Sequence, residues 1–214
     1  MKLLLSVGLL GFALSFCNLG DKLKSLSGSS NSNSSSNSAT NSPAKTTGPP
    51  IEAEKPILSD VQQKIVDSST EVKWDDRGIS WRLPSGWKKT EMTKDSAQFG
   101  SSDGAFLIPM ISILPGDFPS DISLKGTYDS AMLSLHSDKY ELVRYLEIDG
   151  IKGVESRETM PGDKSGPRRH QWIGFRKYQG QTQQLNIMLS TRGSNFDKHR
   201  DDFLAIMYSM KIEK

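Results

Sequence analysis

Gly78-Ile79-Ser80-Trp81-Arg82-Leu83-Pro84-Ser85-Gly86-Trp87 is the stretch on which the reading of the fold turns. Ile79, Trp81 and Leu83 alternate with Ser80 and Arg82, the period of a strand with one buried face. Pro84-Ser85-Gly86 then reads as a turn, with proline pre-setting one φ and glycine accepting a positive one. Trp87 restarts the chain. Everything ahead of this stretch reads as address and linker, and everything after it as one domain.

Working forward, Ser96–Ser101 and Ala105–Leu114 are strand-like runs joined through Ser102-Asp103-Gly104, a hairpin signal. The second run is apolar at both parities, which predicts a strand covered on both sides. Pro109 within it cannot donate to a ladder, so a bulge or an unpaired segment is expected there. Ser123 to Asp138 reads as a helix, with Leu124, Tyr128, Ala131, Met132 and Leu135 on one stripe. Tyr140–Ile148 and Lys152–Met160 are strands about the turn Asp149-Gly150. Arg168–Tyr178 and Gln181–Thr191 form a further hairpin about Gln179-Gly180. Ser194 and Asp197 have the spacing to cap a last helix, in which Phe196, Phe203, Leu204 and Met207 face inward. Met210-Lys211-Ile212 can return as a short strand. This order gives the α+β class, an antiparallel β-sheet with flanking helices.

Working backward, Glu71–Trp74 is a brief strand closed by Asp75-Asp76-Arg77-Gly78. Ser59-Asp60-Val61-Gln62 has the spacing of a capping box, and Val61, Ile65 and Val66 could line one side of a short helix. Residues 17–56 include the run Ser29 to Ser38, built of serine and asparagine only. Such a stretch lacks the apolar surface to offset chain ordering and is expected to be a disordered tether, with a reach of roughly 30–35 Å. At the start, Lys2 precedes an apolar run from Leu3 to Phe16, too short to span a bilayer but suited to a signal peptide. The expected division is therefore 1–16 signal peptide, 17–56 tether, 57–70 short helix or linker, and 71–214 folded domain.

Leu14-Ser15-Phe16-Cys17 resembles the lipobox of bacterial lipoproteins, which implies lipid attachment at Cys17. It departs from that pattern in the bulky Phe16, where a small residue is usual. Cleavage after Ala13-Leu14-Ser15, giving a secreted protein, and an uncleaved anchor are the alternatives. Gly78 to Trp87, with the closing Phe196–Ile212, is similar to the opening and ending of the PsbP-like (DcrB-like) superfamily. That resemblance implies an α/β/α sandwich and a binding or assembly role, since members are not generally enzymes.

Composition narrows the chemistry. The 27 basic and 25 acidic side chains leave a net charge of +2, no footprint for nucleic acid. Cys17 is the single cysteine, so the domain has no internal disulfide or thiolate cluster. His136, His170 and His199 lack metal-ligand spacing and are expected at the surface, with no metal and no cofactor. Gly100–Gly104 reads as a turn and not a phosphate loop, and Asp103, Asp117, Asp121 and Asp163 lie in loops without calcium-site spacing. Met110, Met132, Met188 and Met207 are expected as core filler.

One pattern points toward binding. Along the strand from Arg168, one face carries Arg168, His170, Trp172, Arg176 and Tyr178, a row of cations and aromatics. Such a row could hold an anionic or carbohydrate partner; the alternative is a polar outer face whose Trp172 and Tyr178 are covered by a helix. The expected function is a membrane-tethered envelope module that binds an envelope protein or glycan. An envelope enzyme and a surface adhesin are the alternatives. The expected place is the bacterial cell envelope, through a lipid anchor.

Overall fold

The computed structural model describes residues 51–214, so the expected signal peptide, Cys17 and the tether as far as residue 50 lie outside the described residues. The elements follow as α1 (Asp60–Ser68), β1 (Thr70–Trp74), β2 (Ile79–Leu83), β3 (Lys88–Met92), β4 (Ala97–Gly100), β5 (Phe106–Leu114), α2 (Ser120–His136), β6 (Tyr140–Ile148), β7 (Ile151–Glu158), β8 (Pro167–Tyr178), β9 (Gln181–Arg192), α3 (Gly193–Tyr208) and β10 (Lys211–Ile212). This is the α+β class expected, with its strands divided between two antiparallel sheets. One has the order β1-β2-β10 and the other β3-β4-β5-β9-β8-β7-β6.

The opening stretch is where the chain passes from one sheet to the other. Ile79, Trp81 and Leu83 are buried in β2. The Trp87 N–H then donates to the Pro84 carbonyl at 3.3 Å, and Gly86 takes φ +86°. That turn delivers the chain to β3, the edge of the larger sheet. Trp87 is buried at the corner, edge-on to Phe203, while Trp81 meets Phe99 of β4 edge-on at 5.3 Å. The main core lies between the two sheets and α3, and includes Trp74, Trp172, Leu185, Ile187, Phe196 and Ile206. Burying each such side chain fully stabilises the fold by about 1.5–3 kcal/mol. A smaller cluster of Leu124, Ala131 and Val154 lies under α2, on the opposite face of the large sheet.

α2 packs on β6, β7 and β8, and this explains why β5 is covered on one face only. Leu107, Pro109 and Ile111 are buried, whereas Phe106 and Ile113 are exposed and Ile108 and Met110 half-buried. Met132 and Met188 are half-buried too, and of the four methionines expected as filler only Met207 is enclosed. Pro109 sits in unbroken register with Ile187 of β9. Toward β4 the ladder covers Phe99↔Leu107 and Gly100↔Phe106, then resumes as the bridge Ser96↔Met110. The missing N–H therefore costs pairing on one side and shifts the register on neither.

Three local expectations need revision. Ser59 and Gln62 do form the capping box, but the side of α1 that is buried is Gln62, which donates to Asp201 of α3 at 2.9 Å, while Val61 is exposed. Ser194 does not cap α3. The Gly166 and Lys164 carbonyls accept from the Gly193 and Ser194 N–H groups at 2.9 and 2.7 Å, so the 161–167 loop does that work. Residues 51–56, assigned to the tether by composition, pack on the domain: the Glu54 N–H donates to Tyr145 at 3.0 Å and the Glu147 N–H to Glu54 at 2.8 Å. No helix of the described residues is long and apolar enough to cross a membrane.

Candidate functional site

The row on β8 is not a surface. Arg168, His170, Trp172, Arg176 and Tyr178 are all buried, at 0–7% exposure, so the expectation of an exposed partner face is overturned. Their polar groups are turned to partners inside the fold, except His170 Nδ1, which is buried without one. Arg168 donates to the Glu158 carbonyl at 2.8 Å, pairs with Glu141 at 2.7 Å and lies 4.2 Å above the Phe196 ring. The Trp172 indole donates to the Leu146 carbonyl at 3.0 Å. Arg176 donates to the Glu213 carbonyl at 2.9 Å and to those of Arg77 and Gly78, tying the chain's last residues to the turn before β2. Burial pulls its pKa down to about 10, against the opposing pull of Tyr178 and Glu213. Arg176 also lies over the Tyr178 ring.

His136 is exposed as expected, but His170 and His199 are buried, and both face carboxylates. His170 Nε2 lies 2.7 Å from Glu155 Oε1, and Arg144 Nε lies 2.5 Å from Glu155 Oε2. Arg144 donates further to the Tyr208 hydroxyl at 2.8 Å and to Glu54 at 2.6 Å. Burial opposes the charge on Glu155, but His170 and Arg144 outweigh it and hold the carboxyl below its usual range. The Arg144 guanidinium is likewise penalised by burial and carried above its ordinary value by Glu155. Burial, with the Glu155 charge beside it, pushes the Tyr208 phenol up to about 12.

Carboxylate, imidazole, guanidinium and phenol together are the vocabulary of acid–base catalysis. Here the Glu155 and His170 side chains have no exposed surface. The cluster instead bridges β6, β7, β8, α3 and the segment at Glu54. A signal for it was present in the sequence: Gly153, Glu155 and Arg157 share one parity of β7, which puts a carboxylate on the strand face that Trp172 covers.

An accessible concavity lies elsewhere. A cleft of about 630 Å³ opens between the β4–β5 hairpin, the 161–167 loop and the start of α3. Exposed Phe106 supplies its apolar floor; Ser102, Ser165 and Ser190 supply hydroxyls, Asn195 an amide and Arg192 a guanidinium. Arg192 makes no ion pair among the described residues. At the rim, hydrogen bonds from Lys198 and Ser101 hold the Asp103 carboxyl well below the usual range, with His199 adding to the effect. Lys198 Nζ and His199 Nε2 lie 2.5 and 3.0 Å from Asp103 Oδ2, and His199 Nδ1 lies 3.3 Å from Asp202. No cluster of three metal-ligating side chains occurs among the described residues. Chemically the cleft can hold a ligand that has one apolar patch and polar or anionic groups around it. The sequence places Asp103 in a hairpin loop but does not show the cleft, because the cleft is assembled from four separate segments.

No family model matches the chain, and no curated protein matches it. Solved structures do. LpqN of Mycobacterium tuberculosis, described as involved in cell envelope biogenesis, is 13% identical with a TM-score of 0.52, the match covering 73% of this chain and 99% of that one. Cyanobacterial PsbP (CyanoP) from Synechocystis sp. PCC 6803 is 14% identical with a TM-score of 0.44, over 68% of this chain and 94% of that one. A protein of Bacteroides thetaiotaomicron is 12% identical with a TM-score of 0.46, over 69% of this chain, and the match spans about half of that protein's length, 49%. At these identities the likeness is one of fold, and the fold is a mixed α+β unit of antiparallel sheets flanked by helices, shared with LpqN.

Proposed function

We propose that this chain is a membrane-tethered cell-envelope lipoprotein whose folded unit is a non-catalytic binding or assembly module. The observation that carries the reading is the placement of reactive groups. Glu155 and His170 are sealed, while the open cleft presents a phenyl ring, hydroxyls, an amide and one guanidinium, equipment for holding a partner. Its partner is an envelope protein or glycan that contacts Phe106 and Arg192. The apolar run before Cys17 supports the anchor, and the fold shared with LpqN fits the envelope. Fractionation tests the anchor: Cys17→Ser should move the protein out of membranes or stall it as a precursor, and a mature chain starting at Phe16 with a free thiol would overturn it. Capture from detergent-solubilised envelope tests the module. One stoichiometric partner should be recovered and then lost with Phe106→Ser and Arg192→Glu together; recovery of that partner by the double variant would rule out the cleft.

A further inference from the structure

The residues just ahead of α1 behave as a bound ligand of their own domain. Glu54 forms a parallel bridge with Leu146 on the outer edge of β6, in a fold whose other strand pairs are antiparallel. Glu54 N–H donates to Tyr145 at 3.0 Å and its carbonyl accepts from Glu147 at 2.8 Å. The Glu54 carboxylate meets Arg144 Nη1 at 2.6 Å, and the Ile51 carbonyl accepts from Lys152 Nζ at 2.7 Å. Ile51 packs in the cluster of Tyr128 and Tyr145, whose rings stack at 4.1 Å. Three things thus recognise the segment: a strand edge, two cations and an aromatic pair.

The attachment is slight. It formally pairs one residue, its ion pair has an exposed Glu54, and Lys55 reaches Glu147 only at 3.9 Å. Segments held by few backbone bonds and little buried surface open far more often than the core. Arg144 does not depend on Glu54 for its position, because Glu155 and Tyr208 hold it from within. The edge therefore keeps its shape and its charge when the segment leaves, and an exposed strand edge is a template for an added strand.

We propose that the outer edge of β6 is a docking edge for an extended peptide segment of a partner, and that residues 51–55 occupy it as a displaceable internal strap. The strap shows what the edge selects: a strand running parallel to β6, with an apolar residue three positions ahead of a carboxylate. The apolar side chain goes to Tyr128 and Tyr145, the carboxylate to Arg144. This goes beyond the cleft reading, since it concerns different residues and stands whether or not the cleft or the lipid anchor is real.

The test uses the full chain and a labelled peptide of its own residues 49–58, Pro-Pro-Ile-Glu-Ala-Glu-Lys-Pro-Ile-Leu. A strap on the same chain competes at an effective concentration of about millimolar, so the wild type should bind the peptide at least tenfold more weakly than an Ile51→Ser, Glu54→Ala variant. A peptide carrying those same two changes should bind neither. In the wild type, the Glu147 amide should exchange with solvent at least tenfold faster than the Gly153 and Trp172 amides in the sheet interior, and peptide bound to the variant should protect it again. Equal exchange at Glu147 and the interior amides would overturn the proposal, as would a folded variant that ignores the peptide. A variant that fails to fold overturns it too, because the strap would then belong to the cooperative core.

Discussion

His170 and His199 are each set against carboxylates in the same domain, and their settings have little else in common. His170 and Glu155 have side chains with no exposure, and His170 and Arg144 together hold the carboxyl below its usual range against burial. His199 lies under the cleft rim between Asp103 and Asp202, which are 32% and 26% exposed, and Asp103 also holds Lys198, which is largely in water. The inner pair is closed, and water meets its cluster only at Arg144, whose side chain is 29% exposed. The outer one has solvent as an additional partner, so it can lose a member and be repaired by water. A His–carboxylate pair is thus not one kind of interaction. What decides its weight is whether water can replace the missing half.

Breaking the inner cluster gives the largest effect. Glu155→Ala leaves Arg144 and His170 facing an empty site, and should cost about 3–5 kcal/mol in denaturant unfolding. A loss below about 1 kcal/mol would mean that water enters where the side chains are packed.

Acid should separate the clusters next. Glu155 and Asp103 both have carboxyls held below their unfolded-state range. For a depressed acid, the stabilisation is fully present above the ordinary carboxylate range and is lost as pH falls beneath it. Glu155→Gln and Asp103→Asn should each flatten the dependence of stability on pH in that acid window, and added sodium chloride should shrink the Asp103 part more than the Glu155 part; equal salt sensitivity would remove the distinction.

Tyr208 gives the alkaline counterpart. Its phenol is pushed up to about 12, so the neutral form is favoured by folding; that contribution is present below about pH 10, its unfolded value, and is lost as pH rises through about 12. Tyr208→Phe should remove the late phenolate signal in an ultraviolet titration and cost about 1 kcal/mol from the lost hydrogen bond to Arg144.

The smallest effect belongs to the outer cluster. Asp103→Asn should cost about 0.2–1 kcal/mol at low salt and less at high salt, read as the midpoint shift in urea with and without added sodium chloride.

Much of the fold was legible where a short stretch carries its own instruction. Asp103-Gly104, Asp149-Gly150 and Gln179-Gly180 mark three hairpins because their glycines, and Asp149 and Gln179 with them, take positive φ. Ile79, Trp81 and Leu83 name their own buried face. The inward polar row on β8 was misread because its partners lie far along the chain: Glu155 for His170, Glu141 for Arg168, Gly78 and Glu213 for Arg176. A cation on one strand parity looks like a surface until its carboxylate or carbonyl is found. Ser194 was read as a cap because nothing in its neighbourhood tells that the Lys164 and Gly166 carbonyls arrive first. The strap was invisible for a different reason, since one isoleucine and one glutamate have no period.

Trp172 has a consequence for how this sequence can vary. Gly153 and Gly174 are register partners across β7 and β8, and the indole of Trp172 lies over both. A methyl group at either glycine would overlap the ring, while a smaller residue at 172 would leave a void beneath it. The three positions are therefore one unit of inheritance. Single steps away from Gly–Trp–Gly descend from either direction, and only a coordinated exchange crosses the gap. Among sequences that share this fold, the glycines are expected to give way to larger residues where the tryptophan has already gone, and to stand wherever it remains.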